Sequence, residues 1–131
     1  ITRCSFDNIL DSSEKAGLYM LPRYIGEKNE VVYLVCLDAK KKVINCRFMG
    51  RGSVNSANIS IRKIVETALL YNATSAILSH NHSSGIALPS KEDEETTGKV
   101  KAALAAVDIA LVDHIVVADD DFVSMAENGV L

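Results

Sequence analysis

The residues best suited to chemistry are two histidines one position apart, His80 and His82, in a chain with three histidines in all. They lie where the apolar run TSAILSH ends, and this run has the length and composition of a short buried strand. In an extended segment, the side chains at positions i and i+2 point to the same side, so both imidazoles can face one point. Imidazole nitrogens are common zinc ligands, but a zinc site needs three or four donors.

A third donor has to return to the same point, and Asp93 is the candidate. It follows His82 by eleven residues and lies in the first turn of a helix that the sequence predicts from Ser90 onward. Three protein ligands with one open position are typical of a catalytic zinc site rather than a structural one. The pattern therefore predicts one Zn²⁺ per chain, bound by His80, His82 and Asp93.

The same acids also fit a purely structural interpretation. Residues 90–93, SKED, match a capping box, in which Ser90 caps the helix and the acid three residues later reaches back. Acids in a first helical turn also suit the helix dipole. Taken alone, Ser90 and Asp93 favour capping, and His-x-His alone is a weak signal. The joint pattern of His-x-His, seven residues, Ser, two residues and Asp, placed between a strand and a helix, favours the metal site.

The bulk composition is that of a globular protein. The chain has 131 residues, 48% hydrophobic and 24% charged, which is enough for one domain with a buried core. Its net charge of -3 does not support a nucleic-acid partner, which usually meets a basic face. No apolar run is long enough to span a membrane, and no signal peptide is visible. Because the chain begins at Ile1, we expect a processed chain or a piece of a longer protein.

The three cysteines, Cys4, Cys36 and Cys46, form no CxxC motif and are odd in number. This argues against a secreted disulfide framework and for a reducing compartment, so we expect a cytoplasmic location. Cys36 and Cys46 are placed so that they can face each other across a hairpin, but free buried thiols are the preferred interpretation.

Strand signals occur at both ends of the chain. Residues 30–38 and 42–49 are rich in β-branched residues and predict a hairpin, with the lysines at 40–42 in its solvated turn. Residues 109–125 predict one or two further strands with an acidic turn at residues 119–121. An exposed edge on the first hairpin is a route to a homodimer.

Helical periodicity fills the intervening segments. Residues 57–72 predict a helix whose inner stripe is Ile61, Ile64, Val65, Ala68 and Leu69. Residues 90–107 predict a helix whose inner face is Val100, Ala103, Leu104 and Val107. A short helix is expected near the N-terminus, with Leu10, Ala16 and either Leu18 or Tyr19 inward. The fold class is therefore α/β: a single domain with a mixed β-sheet flanked by helices.

Three stretches resemble a known family: GRGSVNSANISIRKIVETAL, AILSHNHSSGIALPSKEDEETT and LVDHIVVADDDFVSMAENGVL. They resemble the C-terminal domain of the RadC family, which carries the JAMM (MPN+) metalloprotease motif. The resemblance covers residues 28–131, about four fifths of the chain, and leaves residues 1–27 as an N-terminal segment or linker. It implies a JAB/MPN-like fold, related in layout to the cytidine deaminases.

The resemblance also implies roles for single residues. The family's zinc-ligand positions fall on His80, His82 and Asp93. Ser90 takes the position of the serine that stabilises the oxyanion of a tetrahedral intermediate. Glu30 takes the position of the general base, with Glu27 as the alternative acid nearby.

Two departures from the family's pattern affect the expected site. Ser83 stands where these sequences usually have proline, which loosens the loop. The usual Pro-Arg-Glu reads Ile-Arg-Lys at 61–63, so Arg62 either supports the site or faces solvent.

His114 matches an Asp-His pair of the family and either orients a nearby group or packs as an ordinary strand histidine. Gly85 is expected in a turn with positive φ.

The leading interpretation is a zinc-dependent hydrolase that cleaves a peptide or isopeptide bond in a peptide or protein substrate. The alternative is a non-catalytic metal-binding module that associates with DNA or with other proteins, because the RadC family carries a historical DNA-repair label. A zinc deaminase is disfavoured, since the His-x-Glu and Pro-Cys-x-x-Cys motifs of those enzymes are absent.

Overall fold

Five strands form one sheet in the computed structural model, which describes residues 8–131. In chain order they are β1 (Val31–Leu37), β2 (Val43–Arg51), β3 (Ser75–Asn81), β4 (Ala110–Ala118) and β5 (Asp121–Ser124). Their order across the sheet is β2-β1-β3-β4-β5, with β3 and β4 parallel and every other pair antiparallel. The mixed sheet predicted from the sequence is confirmed.

Within residues 8–131, three α-helices cover the two faces of this sheet: α1 (Ser13–Met20), α2 (Ile61–Leu70) and α3 (Lys91–Ala105). A single 3₁₀ turn, Leu21–Tyr24, follows α1. One face packs against α1 through Ala16 and Met20, and the other against α2 and α3 through Ile64 and Leu104. The single α/β domain is confirmed, and α1 is the expected short helix. A domain boundary between residues 27 and 28 stays a prediction.

The central strands are buried because both of their faces are covered. All seven residues of β3 are buried, and so are six of the seven in β1. Such strands read as nearly continuous apolar runs rather than as alternating ones. His80 therefore enters the protein interior as part of a core strand, with no contact with solvent.

The loops follow their local sequence signals. In the β1–β2 turn, the carboxylate of Asp38 accepts hydrogen bonds from the backbone N–H groups of Lys40 and Lys42. The turn between β4 and β5 contains the acidic run, and Asp119 adopts a left-handed φ of 56° there. Gly85 has a φ of 84°, as expected. The predicted turns are confirmed.

One predicted core contact is wrong. Leu69 is 51% exposed because α2 meets the sheet through Ile64 and Ala68, and one further residue turns the side chain by about 100° toward solvent. Leu18 is 55% exposed, whereas Tyr19 packs against the core, so the second of the two alternatives for α1 is correct.

Cys36 and Cys46 lie on opposite faces of the sheet. Cys46 pairs with Val35 in the β1–β2 register, and Cys36 pairs with Asn45, so the two thiols point away from each other. Both are free, with Cys36 buried and Cys46 partly buried. Cys4 lies outside the described residues. Free thiols, the interpretation preferred from the sequence, are confirmed for these two.

β2 forms one edge of the sheet and exposes Ile44 and Phe48, by 41% and 53%. A homodimer through this edge stays a prediction. Within residues 8–131, none of the helices is both long and apolar enough to cross a membrane.

Candidate metal centre

The three expected ligands come from β3, the residue after it and the first turn of α3. Nε2 of His80 lies 3.0 Å from Nε2 of His82. Oδ2 of Asp93 lies 3.3 Å from the first of these nitrogens and 3.2 Å from the second. His80 and Asp93 are buried, and His82 is partly exposed, so the cluster is open to solvent on the His82 side.

These separations fit a tetrahedral metal ion. Ligands about 2.0–2.1 Å from a zinc ion at tetrahedral angles are about 3.3 Å apart, close to the three distances between the donor atoms. Nδ1 of His82 lies 2.9 Å from the carbonyl oxygen of Ile86, which only accepts hydrogen bonds. A hydrogen on Nδ1 of His82 can therefore be donated to this carbonyl, which leaves the lone pair of Nε2 for a metal ion. Two nitrogen donors and a carboxylate suit Zn²⁺, and the residues present can hold one.

Helix capping and ligand placement are properties of the same Asp93 carboxylate. Ser90 Oγ accepts the backbone N–H of Asp93 at 3.0 Å, and Asp93 Oδ2 accepts the backbone N–H of Ser90 at 2.9 Å. The capping box predicted from the sequence is confirmed. It fixes the rotamer that brings Oδ2 to the imidazoles, so the two interpretations of Asp93 do not exclude each other.

The charge of Asp93 is stabilised despite its burial. Burial alone raises the pKa of the carboxyl, but the neighbouring His80 imidazole and the hydrogen bond from the Ser90 backbone N–H outweigh it and hold the pKa below its ordinary value. Asp93 therefore supplies an anionic oxygen at neutral pH. An anionic oxygen and neutral imidazoles are the protonation states that a metal ion requires of such ligands.

Ser90 is exposed at the N-terminus of α3, with its oxygen directed at the Asp93 N–H. Among residues 8–131, no acceptor takes the hydrogen of its hydroxyl group. That hydrogen can be donated to a molecule bound beside the cluster.

Glu30 lies beside the loop that follows His82. Its Oε2 accepts hydrogen bonds from the backbone N–H and the hydroxyl of Ser83, at 3.2 and 3.3 Å. Glu27, the alternative base, accepts a hydrogen bond from the backbone N–H of Asn29 instead. Of the two acids, Glu30 is the one bonded to the residue next to His82.

Asn81 fixes the backbone on both sides of Glu30. Its Oδ1 accepts the N–H of Val31 at 2.8 Å, and its side-chain amide donates to the carbonyl of Asn29 at 3.0 Å. The sequence analysis did not single out Asn81. A signal was present, because an amide at the end of a buried strand needs partners and strand alternation turns it away from the two histidines.

Arg62 does not reach the cluster. Its side chain is 88% exposed and pairs with Glu66 one helical turn away, at 3.1 Å. Of the two interpretations of Arg62, the structure supports the solvent-facing one.

A cavity of about 410 Å³ borders the cluster on the His82 side. The residues that line it include His82, Ser83, Lys28 and Ile25.

Comparisons with known proteins identify the family of this chain. The family model described as RadC-like JAB domain matches residues 10–130. UPF0758 proteins of Methylibium petroleiphilum and Azotobacter vinelandii are each 40% identical over 123 residues, covering 94% of this chain and 55% of theirs. A UPF0758 protein of Pseudoalteromonas translucida is 38% identical over 129 residues, covering 98% of this chain and 58% of its own. The chain spans a little over half the length of these relatives.

The chain therefore belongs to the RadC-like JAB domain family. The fold has the JAB/MPN-like layout that the resemblance implied. The triad His80, His82 and Asp93 is close enough to bind a metal ion. The roles of Glu30 and Ser90 stay predictions, and so does the identity of the metal.

Proposed function

We propose that the chain is a zinc-dependent hydrolase that cleaves a peptide or isopeptide bond. The observation that carries this proposal is the convergence of three donor atoms, from His80, His82 and Asp93, within 3.3 Å of one another. Glu30 is bonded to Ser83, the residue after His82, which supports it as the candidate base. Membership of the JAB domain family is consistent with this chemistry.

Each residue then has a defined task. A bound zinc ion supplies Lewis acidity toward water and toward the scissile carbonyl group. Glu30 accepts the proton of the attacking water and returns it to the leaving amine. Ser90 donates its hydroxyl hydrogen to the carbonyl oxygen as negative charge develops there. The approach route that we propose for a peptide or protein chain is the cavity lined by His82 and Ser83.

We also propose that the protein acts in the cytoplasm. The free thiols of Cys36 and Cys46 suit a reducing compartment, because the sheet holds them on opposite faces and they cannot pair with each other.

The first experiment is metal analysis of protein purified without chelators. We expect about one zinc ion per chain in the wild type, and loss of the metal in His80→Ala, His82→Ala and Asp93→Asn. A folded wild-type chain that takes up no zinc contradicts the proposal. Circular dichroism of each variant separates a lost ligand from a lost fold.

The second experiment is cleavage of a peptide library and of isopeptide-linked substrates. Glu30→Gln is expected to keep its zinc and to lose activity by about 10²–10⁴-fold. Glu27→Gln is the comparison variant: Glu27 is the alternative acid and lines the same cavity without bonding to Ser83, so we expect this variant to keep its activity within a few-fold of wild type. A zinc-loaded chain that cleaves neither substrate class supports the non-catalytic module instead.

A further inference from the structure

His114 lies on β4 outside the donor triad, yet it is fully buried against it. Its Nε2 lies 2.7 Å from Nδ1 of His80. Its Nδ1 lies 2.7 Å from Oγ1 of Thr97, and that hydroxyl lies 2.7 Å from the backbone carbonyl of Asp93. A continuous chain of hydrogen bonds therefore joins one expected ligand, His80, to another, Asp93.

The direction of every hydrogen in this chain follows from the carbonyl at its end. A carbonyl only accepts, so the hydroxyl hydrogen of Thr97 points to Asp93 and Oγ1 accepts from Nδ1–H of His114. A neutral imidazole carries one hydrogen, and burial away from solvent favours the neutral form of His114, so its Nε2 carries a lone pair. That lone pair accepts Nδ1–H of His80.

The consequence for His80 is that its hydrogen on Nδ1 is held away from the cluster. Its Nε2 then faces Oδ2 of Asp93 and Nε2 of His82. Metal ligation through Nε2 needs that atom to be free of hydrogen, and a hydrogen bond at the opposite ring nitrogen is how proteins set this tautomer.

We propose that His114, oriented by Thr97, is a positioning residue that holds His80 in the tautomer and ring orientation needed to bind the metal. This inference rests on the metal site of the proposed function. A histidine that merely packs can be replaced by an apolar side chain of similar size without affecting the metal. A positioning histidine needs an acceptor at Nε2 and the Thr97 hydroxyl at Nδ1.

Zinc affinity, measured by competition with a chromophoric chelator, separates the two roles. His114→Leu and Thr97→Val each remove one member of this series of hydrogen bonds. Both are expected to weaken zinc binding by about 10–100-fold. Thr97→Ser keeps the hydroxyl and His114→Gln keeps an acceptor, so both are expected to stay within a few-fold of wild type. Folded His114→Leu and Thr97→Val chains that bind zinc like wild type overturn the proposal.

A second readout uses the metal-free protein and no activity at all. Imidazole ¹⁵N chemical shifts are expected to show hydrogen on Nδ1 of both His80 and His114 and none on Nε2 of His114. Thr97→Val is expected to disturb this pattern at His80, to which Thr97 makes no hydrogen bond of its own. Hydrogen on Nε2 of His114 in the wild type overturns the inference. Absence of zinc binding by the wild type contradicts the proposed function, and the ¹⁵N pattern still decides the tautomer.

Discussion

Ser83 donates two hydrogen bonds to the carboxylate of Glu30, although the two residues are 53 positions apart in the chain. One comes from the backbone N–H and the other from the hydroxyl, and both end on Oε2. The usual proline of the family offers neither donor. The departure from the family's pattern at position 83 therefore adds a contact to the expected base in place of the rigidity that proline gives.

Asn81→Ala is expected to lower the rate of cleavage by about 10–100-fold with zinc affinity unchanged, because small displacements of a catalytic group are costly. The substitution removes both hydrogen bonds that fix the backbone around Glu30. Steady-state kinetics and zinc titration on the same preparation check this prediction. Asn81→Asp keeps an acceptor for the N–H of Val31, so its rate of cleavage is expected to lie between those of wild type and Asn81→Ala. Loss of zinc in a folded Asn81→Ala chain would show that Asn81 supports the metal ligands as well as Glu30, which contradicts this prediction.

Substitutions at Ser90 separate capping from catalysis. Ser90→Ala loses the cap and is expected to reduce the free energy of unfolding by about 1 kcal/mol. Ser90→Gly is expected to reduce it by only a few tenths of a kcal/mol, because glycine is tolerated at an N-cap. Both variants lack the hydroxyl and are expected to lose activity equally, by about 10²–10³-fold. Urea unfolding and cleavage assays on the pair test this. If Ser90→Gly keeps full activity, the hydroxyl takes no part in the reaction.

The stability of the metal-free protein is expected to fall as the pH drops below about 6.5. Burial lowers the pKa of His114 well below that ordinary value of 6.5. In acid, the unfolded chain binds a proton on this ring that the folded chain does not, so protons favour unfolding by up to about 1.4 kcal/mol per pH unit. Above the unfolded pKa both states are neutral and this contribution is constant.

Urea unfolding of wild type and His114→Gln on both sides of pH 6.5 measures this effect. The variant lacks the ring and is expected to show a shallower decline in acid. Equal slopes in the two proteins show that His114 is protonated in the folded chain as readily as in the unfolded one.

Binding of DNA by this chain is expected to be weak, because phosphate contacts need clustered cations and the net charge is -3. Filter binding of single- and double-stranded DNA at low salt checks this. Tight binding that persists in His82→Ala supports the alternative of a DNA-associated module whose function does not depend on the metal.

Local signals in the sequence were sufficient for most of the elements. The apolar run before His80 predicts β3. The SKED segment predicts a helix capped by Ser90, and α3 begins at the next residue, Lys91. Such features depend on neighbours within a few positions, which is why periodicity and capping rules recover them. Leu69 was misassigned because which side of a helix meets a sheet is decided by packing.

The contacts that hold the candidate site depend on which strands become neighbours. Asn81 reaches the segment around Glu30 because β1 lies beside β3, and His114 reaches His80 because β4 lies on its other side. Strand pairing between distant segments has no local sequence signal. A ligand motif can therefore be read from the chain, but the hydrogen bonds that orient its ligands had to come from the structure.

Parallel strands cannot be joined by a tight turn, so the chain that leaves β3 must pass through α3 before it returns as β4. This crossover brings Asp93 and Thr97 back to the imidazoles, and the strand it leads to carries His114. As a nascent chain leaves the ribosome, its histidine pair is therefore made well before the groups that complete and orient the site. Full affinity for a cation then depends on the docking of β4, which carries His114, so the strength of metal binding reports on a late step of folding.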